Sequence, residues 1–236
     1  IVFISRLSDN KSLDFKFLLF VNVNDKLYTV RYPGEYAEHF VNRDYEEDGI
    51  KLFEQLGLTN ITIYLDKEAG TKVSEYTVGR SLNELKNNQE DLPYKDVSIL
   101  LKQVHNSGLK AINDYEPFKR LENYEKDLLD LGYILPDKYL EIKKEFCKFQ
   151  KYLESQNKVL CHNDSQPSNF ILNEDGKLFV VDFEFTGMND PIYDIAAFGN
   201  DDVEDGLAVL KEYEKLIKVE DGFNRYCLWR MLISLQ

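Results

Sequence analysis

Cysteine is scarce: three residues, Cys147, Cys161 and Cys227, are too few and too widely spaced for a disulfide framework or a zinc site, so buried free thiols are the expectation. No run of eighteen apolar residues occurs, so no membrane insertion is expected. Residues 1–12 lack the basic-then-apolar order of a secretory leader, and a soluble cytoplasmic protein is the expectation. Positive charge is also short, with 29 Lys and Arg against 42 Asp and Glu and a formal net charge of −13. Such a chain repels nucleic-acid phosphates, steers cations inward by its long-range field, and carries no basic stripe of the kind nucleic-acid binders use. Internal repeats and low-complexity linkers are missing too. What is present is a 43% hydrophobic, 13% aromatic chain of 236 residues, enough for one large domain or two closely packed lobes.

The period of the apolar residues divides the chain. Segments 13–23 and 26–32 are rich in Phe, Leu, Val and Tyr and flank Asn24-Asp25, which predicts a hairpin with a tight turn. From 38 to 56 the period becomes helical, with Phe40, Ile50, Phe53 and Leu56 on one face and Gly57 as the stop. Strand patterns resume at 61–65 and 71–76 across the turn-like 66–70. Beyond Gly79 the chain reads as mainly helical, with helices expected at 97–106, 118–131 and 138–155; Ile142, Phe146, Phe149 and Leu153 recur at helical spacing in the last. Short strand-like runs at 159–161, 170–173 and 177–182 interrupt this half, the last two joined by Asn173-Glu-Asp-Gly176.

The chemistry-bearing stretch is Leu160-Cys-His-Asn-Asp-Ser-Gln-Pro-Ser-Asn-Phe170, followed by Val180-Val-Asp-Phe-Glu184. Phosphoryl transfer needs a carboxylate to orient and receive the proton of the attacking hydroxyl, and hard oxygen ligands for magnesium beside the phosphates. Asp164, Asn169 and Asp182 are groups of that kind. The step from Asp164 to Asn169 matches the H-x-D-x-x-x-x-N loop of kinases, and Asp182-Phe-Glu stands where the metal-binding D-F-G triplet stands. An ordinary polar turn would use the same residue types. That reading suits Asn173 and Asp175, but it does not explain two motifs in the right order and context. His162 is expected to hydrogen-bond the loop rather than to act as a second base.

The segment Val181-Asp-Phe-Glu-Phe-Thr-Gly-Met-Asn-Asp-Pro-Ile-Tyr-Asp-Ile-Ala-Ala197 resembles the bacterial choline kinases, within the choline/ethanolamine kinase and aminoglycoside phosphotransferase superfamily. Thr29-Val-Arg-Tyr-Pro-Gly34 is similar to that family's third strand, Val41-Asn-Arg-Asp-Tyr-Glu46 to the start of its one N-lobe helix, Ser74-Glu-Tyr-Thr-Val-Gly79 to the hinge, and Gln103-Val-His-Asn-Ser-Gly108 to the helix end that follows. The resemblance implies a protein-kinase-like, two-lobed α+β fold: an N-lobe of residues 1–78 with a small antiparallel sheet and one helix, and a larger, mainly helical C-lobe of 79–236. It also implies use of ATP and Mg2+. In that frame Asp164 is the catalytic carboxylate, Asn169 and Asp182 hold the metal, and Arg31 grips the phosphates. Glu46 braces Arg31 through an ion pair, with Glu47 as the competing acid. Main-chain groups of the segment from Glu75 through Tyr76 to Thr77 face adenine, and Asn10 and Ser12 belong to the phosphate loop, although the glycines expected before Asn10 are missing. Asp194 is implied to anchor the catalytic loop.

For the acceptor, the resemblance points to Trp229 on the C-terminal aromatic helix as one wall of a cation site, or else as plain core. It adds Asp201 near the ammonium group, unless that residue belongs to a charged loop, and Glu184. A quaternary ammonium has no hydrogen-bond donor, so aromatic faces and carboxylates are what can hold it. The resulting expectation is a choline kinase. The alternatives are an ethanolamine, thiamine or aminoglycoside kinase, or a kinase-like binding protein without catalysis. Leu232 stands where the family often has a second tryptophan. The sequence carries nothing on oligomeric state.

Overall fold

The computed structural model describes residues 2–6, 15–34 and 37–236, with side chains for 20–34 and 37–236. In chain order the elements are β1 (Val2–Arg6), β2 (Phe15–Val23), β3 (Lys26–Pro33), α1 (Ala37–Phe40), α2 (Arg43–Gln55), β4 (Thr62–Leu65), β5 (Lys72–Glu75), β6 (Arg80–Ser81) and α3 (Leu82–Asn87). They continue with α4 (Tyr94–His105), α5 (Pro117–Asp130), α6 (Asp137–Phe146), α7 (Gln150–Glu154), β7 (Val159–Cys161), β8 (Phe170–Leu172), β9 (Leu178–Val180), β10 (Gly187–Asn189), α8 (Pro191–Phe198), α9 (Val203–Leu216) and α10 (Gly222–Leu235). The chain forms two compact units, Ile1–Leu92 with Pro167–Thr186, and Pro93–Gln166 with Gly187–Gln236. Compactness assigns the hairpin β8–β9 to the sheet-bearing unit, whereas reading along the chain puts everything after residue 78 in the helical half.

In the first unit an antiparallel sheet runs in the order β1-β2-β3-β5-β4. The β2–β3 turn works because Asn24 and Asp25 both take positive φ, 51° and 63°, which Asn and Asp tolerate better than other side chains. The single helix expected at 38–56 is instead two. Asn42 ends α1 and caps α2, its side chain accepting from the Asp44 N–H at 3.0 Å and the Tyr45 N–H at 3.4 Å, so a new helix starts there. Strand β1 and helix α3 are additions to the sequence reading; α3 opens on a reciprocal capping box between Ser81 and Glu84. A second sheet, β6-β8-β9, joins the hairpin to the end of the hinge segment, and Val180 donates its N–H to the Leu58 carbonyl at 2.8 Å. Phe53 of α2 packs on Phe183 with centroids 4.9 Å apart.

Gly49 is what lets α2 lie this close to the strand end. A Cβ there would fall 2.7 Å from the Thr186 Cβ and 3.1 Å from the Phe183 carbonyl oxygen. Only a residue without a side chain keeps the helix, and Glu46 one turn earlier, against residues 183–186.

The second unit is helical apart from the two-stranded β7–β10 pair. Helices α4 and α5 fall where expected. The segment expected at 138–155 is α6, a 3-10 turn at Cys147–Phe149, and α7. Its core includes Leu101, Val104, Leu160, Ile195, Phe198, Val209, Trp229 and Leu232. All three cysteines are free, but only Cys161 is buried; Cys147 and Cys227 are half-buried, so the buried-thiol expectation holds for one of them.

Candidate active site

Strand alternation puts Arg31 on the face of the sheet that meets α2, and the β3–β5 register sets Lys72 directly opposite it. Both cations converge on Glu46. Its Oε1 lies 2.6 Å from Arg31 and 3.3 Å from the Lys72 ammonium, while its Oε2 accepts from Arg43 at 2.6 Å. Glu46 is fully buried; burial alone would push its carboxyl up, but Lys72, Arg31 and Arg43 together hold it down at about 2. Glu47 points away and pairs with Lys51 at 2.9 Å and Lys67 at 3.3 Å on the surface, so Glu46 is the acid that meets Arg31. For Lys72, burial and the neighbouring Arg31 guanidinium push the ammonium pKa down, and Glu46 pulls partly back. The sequence reading missed Lys72; the signal was its place across the ladder from Arg31, which becomes visible only once the β3–β5 register is known.

Arg31 also reaches Asp182 and Glu184, with its NH1 3.5 Å from a carboxylate oxygen of each. Among the described residues none of its three guanidinium nitrogens makes a well-aligned hydrogen bond despite these ion pairs. Buried donors left in that state suit phosphate oxygens. Asp182 takes a left-handed backbone, φ 72°, unusual for a residue other than glycine and common where a site fixes a side chain. Asn169 sits beside it, because Val181 donates its N–H to the Asn169 carbonyl at 3.0 Å just past the β8–β9 ladder. One carboxylate and one amide oxygen on adjoining positions form a hard donor set that fits magnesium. Asn10 and Ser12 lie outside the described residues.

In the second unit the segment around Asp164 is held from below. Asp194 of α8 accepts the N–H of His162 at 3.0 Å and of Asn163 at 2.6 Å, and its other partner is His105 Nε2 at 3.1 Å. Burial by itself would raise the Asp194 carboxyl, but His105 and the backbone N–H groups outweigh it and the pKa falls. His162 Nδ1 accepts the Asp164 N–H at 3.2 Å, a scaffold role. Asn163, with φ 66°, donates to the Gly187 carbonyl at 3.3 Å and accepts from Asn189 at 2.8 Å. Asp164 is thus presented, half-buried, by a loop tied to α8 and β10, and Gln166 Nε2 donates to its Oδ1 at 2.6 Å. His105, Cys161 and Asp194 lie close enough together to raise the question of a metal, but they are committed to hydrogen bonds, Cys161 to the Asn189 carbonyl and His105 to Tyr213 and Asp194.

The model of the choline/ethanolamine kinase family matches residues 9–205. The chain belongs to the choline/ethanolamine kinase family. Protein LicA of Haemophilus influenzae is 28% identical over 180 residues, a match covering 75% of this chain and 66% of that protein, so the chain spans somewhat under two thirds of the length of this relative. Among solved structures, choline kinase LicA from Streptococcus pneumoniae aligns with a TM-score of 0.80 at 22% identity, over 100% of this chain and 83% of that one. An aminoglycoside-3'-phosphotransferase of type VIII aligns with a TM-score of 0.71 at 13% identity, over 99% and 94%. The fold is protein-kinase-like α+β, as expected.

In this fold Trp229 takes the core alternative, and Glu184 departs from the acceptor-side expectation. Trp229 is 1% exposed; its indole N–H donates to Asp190 at 2.8 Å, and its ring is covered by Tyr193 at 5.2 Å and Phe118 at 6.1 Å. It backs other aromatics instead of offering a face. Asp190 also takes both arms of Arg225 and caps α8 through the Ile192 N–H, which ties α8 to α10. Glu184 is 4% exposed and belongs to the Arg31 cluster, because the strand end aims it at the sheet face and not at an acceptor. Asp201 is exposed in the bend before α9. At the hinge, Glu75 donates its N–H to the Ile61 carbonyl at 2.9 Å and accepts from Asn60 Nδ2, and Tyr76 donates its N–H to the Leu27 carbonyl at 2.9 Å. These bonds engage the Glu75 N–H and carbonyl and the Tyr76 N–H within the sheet-bearing unit.

Proposed function

We propose that the chain is an ATP-dependent kinase that phosphorylates the hydroxyl of a small cationic alcohol, with choline the leading candidate. The observation that carries the reading is the pairing, in one family member, of an anchored carboxylate loop with a buried Arg31–Glu46 pair beside Asp182. Arg31 receives the phosphates, its charge held in place by Glu46. Asn169 and Asp182 would hold magnesium, which when bound neutralises charge on the phosphate oxygens. Asp164 accepts a hydrogen bond from the acceptor hydroxyl and orients its oxygen toward the γ-phosphorus. As the new P–O bond forms and the bond to the ADP oxygen breaks, the proton passes to the Asp164 carboxylate. The enzyme would work in the cytoplasm, where ATP is supplied.

Support for a cationic acceptor comes from the net charge of −13. Burial of Trp229 leaves fewer aromatic faces for a quaternary ammonium than a tryptophan-walled pocket has, which keeps ethanolamine as the second reading. A phosphorylation assay with choline, ethanolamine, thiamine and an aminoglycoside decides. Phosphocholine formed at the highest kcat/KM supports the proposal, preference for ethanolamine replaces it with the second reading, and no transfer to any of the four overturns both.

A further inference from the structure

Helix α2 offers one carboxylate to three cations, and two of those cations face each other across neighbouring strands. Lys72 of β5 is the direct partner of Arg31 on β3 in the antiparallel ladder, and β5 is an inner strand flanked by β3 and β4. Like charges set opposite each other in a sheet destabilise it, and taking an ammonium group out of water adds to that cost. Only 13% of the Lys72 side chain is exposed. The charge of Glu46 does not require this lysine, because Arg43 donates to Oε2 at 2.6 Å and the Arg31 NH2 lies 2.6 Å from Oε1. Lys72 is a third partner for a carboxylate already held on both oxygens.

What Lys72 changes is the use of Oε1. Its ammonium donates to that oxygen at 3.3 Å, whereas Arg31, although closer, makes no well-aligned hydrogen bond among the described residues. A carboxylate oxygen accepts along two lone-pair directions, so a lysine on one of them limits how a guanidinium can turn onto the same atom. Without the lysine, the planar fork of Arg31 is free to settle on Glu46 in the aligned geometry that arginine favours with carboxylates. We propose that Lys72 is a positioning residue for the nucleotide: by occupying Oε1 of Glu46 it keeps the Arg31 guanidinium from closing on that carboxylate and leaves its N–H groups for the phosphates. The inference rests on the kinase reading, in which Arg31 receives the phosphates of ATP. It adds to that grip a residue that acts through Glu46 and Arg31 without touching the nucleotide.

The test is calorimetric titration of the full protein with ATP in the presence of magnesium and, separately, with adenosine, which has no phosphate. Lys72→Met should raise the ATP dissociation constant about tenfold, the scale of one charge-assisted hydrogen bond lost, and leave that of adenosine unchanged. Lys72→Arg, which still donates to Oε1, should bind ATP close to wild type. The effect should also run through the Arg31 fork. In an Arg31→Lys background, where an ammonium with rotatable donors has no fork to close, adding Lys72→Met should change the ATP constant by about twofold at most. If Lys72→Met does not melt cooperatively, Lys72→Val, a strand former that also vacates Oε1, gives the same readout. An unchanged ATP constant in the folded variant overturns the inference. Equal weakening of ATP and adenosine marks a merely structural lysine, and a full tenfold loss in the Arg31→Lys background marks direct action of its charge on the phosphates; either result overturns it too. In all three cases the kinase reading stands, because wild type binds ATP. If wild type does not bind ATP, the kinase reading falls and takes this inference with it.

Discussion

Glu46→Gln tests whether the charge cluster under the sheet is held together by one carboxylate. Three cations meet that side chain, Arg31 and Arg43 at 2.6 Å and Lys72 at 3.3 Å. Their joint effect lowers the carboxyl from 4.5 to about 2 against the opposing cost of burial. A drop of that size corresponds to about 3 kcal/mol of stability at neutral pH, and removing one partner of a buried charge pair is expected to cost about 3–5 kcal/mol, so the two routes agree. The sign follows from the depressed value: the contribution is fully present above the unfolded pKa near 4.5 and is lost as pH falls toward 2. Urea unfolding at several pH values is the assay. At pH 7 the variant should be less stable by about 3 kcal/mol, and the gap should narrow steadily between pH 5 and pH 3 as wild type loses what the variant never had. A constant gap across that range, or no gap at pH 7, would refute the account of Glu46 as the charge that organises Arg31 and Lys72.

Three further outcomes follow from the same geometry. Asp164→Asn should lower kcat by roughly a hundredfold or more with ATP affinity retained, as judged by nucleotide titration, and near-normal turnover would remove Asp164 from the chemical step. Asp182→Ala should abolish transfer in a way that a modest rise in magnesium does not restore; full activity at ordinary magnesium would show that the ligand lies elsewhere. Gly49→Ala places a methyl 2.7 Å from the Thr186 Cβ, and overpacking of that kind should cost about 1–3 kcal/mol even though alanine favours helices, measured as a lower denaturation midpoint.

The parts of the fold that were legible in the sequence are those in which one local rule acts alone. Asn24-Asp25 specified the hairpin because both residues accept positive φ, and the helical period specified α4 and α5 because each buries one face. The break between α1 and α2 was hidden, because Asn42 reads equally well as a polar residue on a continuing helix until its side chain is seen capping the next turn. Site residues divide the same way. Asp164, Asn169 and Asp182 stand close together in the chain and their spacing points to the chemistry, whereas Lys72 acquires meaning only from neighbours distant in sequence. Trp229 shows the converse: a lone tryptophan on an apolar helix fits a ligand wall or a core equally well, and the buried carboxylate of Asp190 decides for the core.

On the proposed function, charge balance accounts for the two cations on adjoining strands beside Glu46. Arg31, Arg43 and Lys72 stand against Glu46, Asp182 and Glu184, so the cluster is close to neutral while Glu46 keeps its proton off. On that reading, a nucleotide phosphate bound beside Arg31 would add negative charge, and magnesium, were it held by Asp182, would offset part of it. The remainder falls on Arg31 and on Lys72, whose pKa burial and Arg31 now push down. An anion arriving next to Lys72 would favour its charged form. Glu46 cannot be shared out to Arg31 alone, because Lys72 and Arg43 hold the same carboxylate, and among the described residues the guanidinium nitrogens of Arg31 make no well-aligned hydrogen bond beyond that ion pairing. Phosphate oxygens are the acceptors whose charge and number match them.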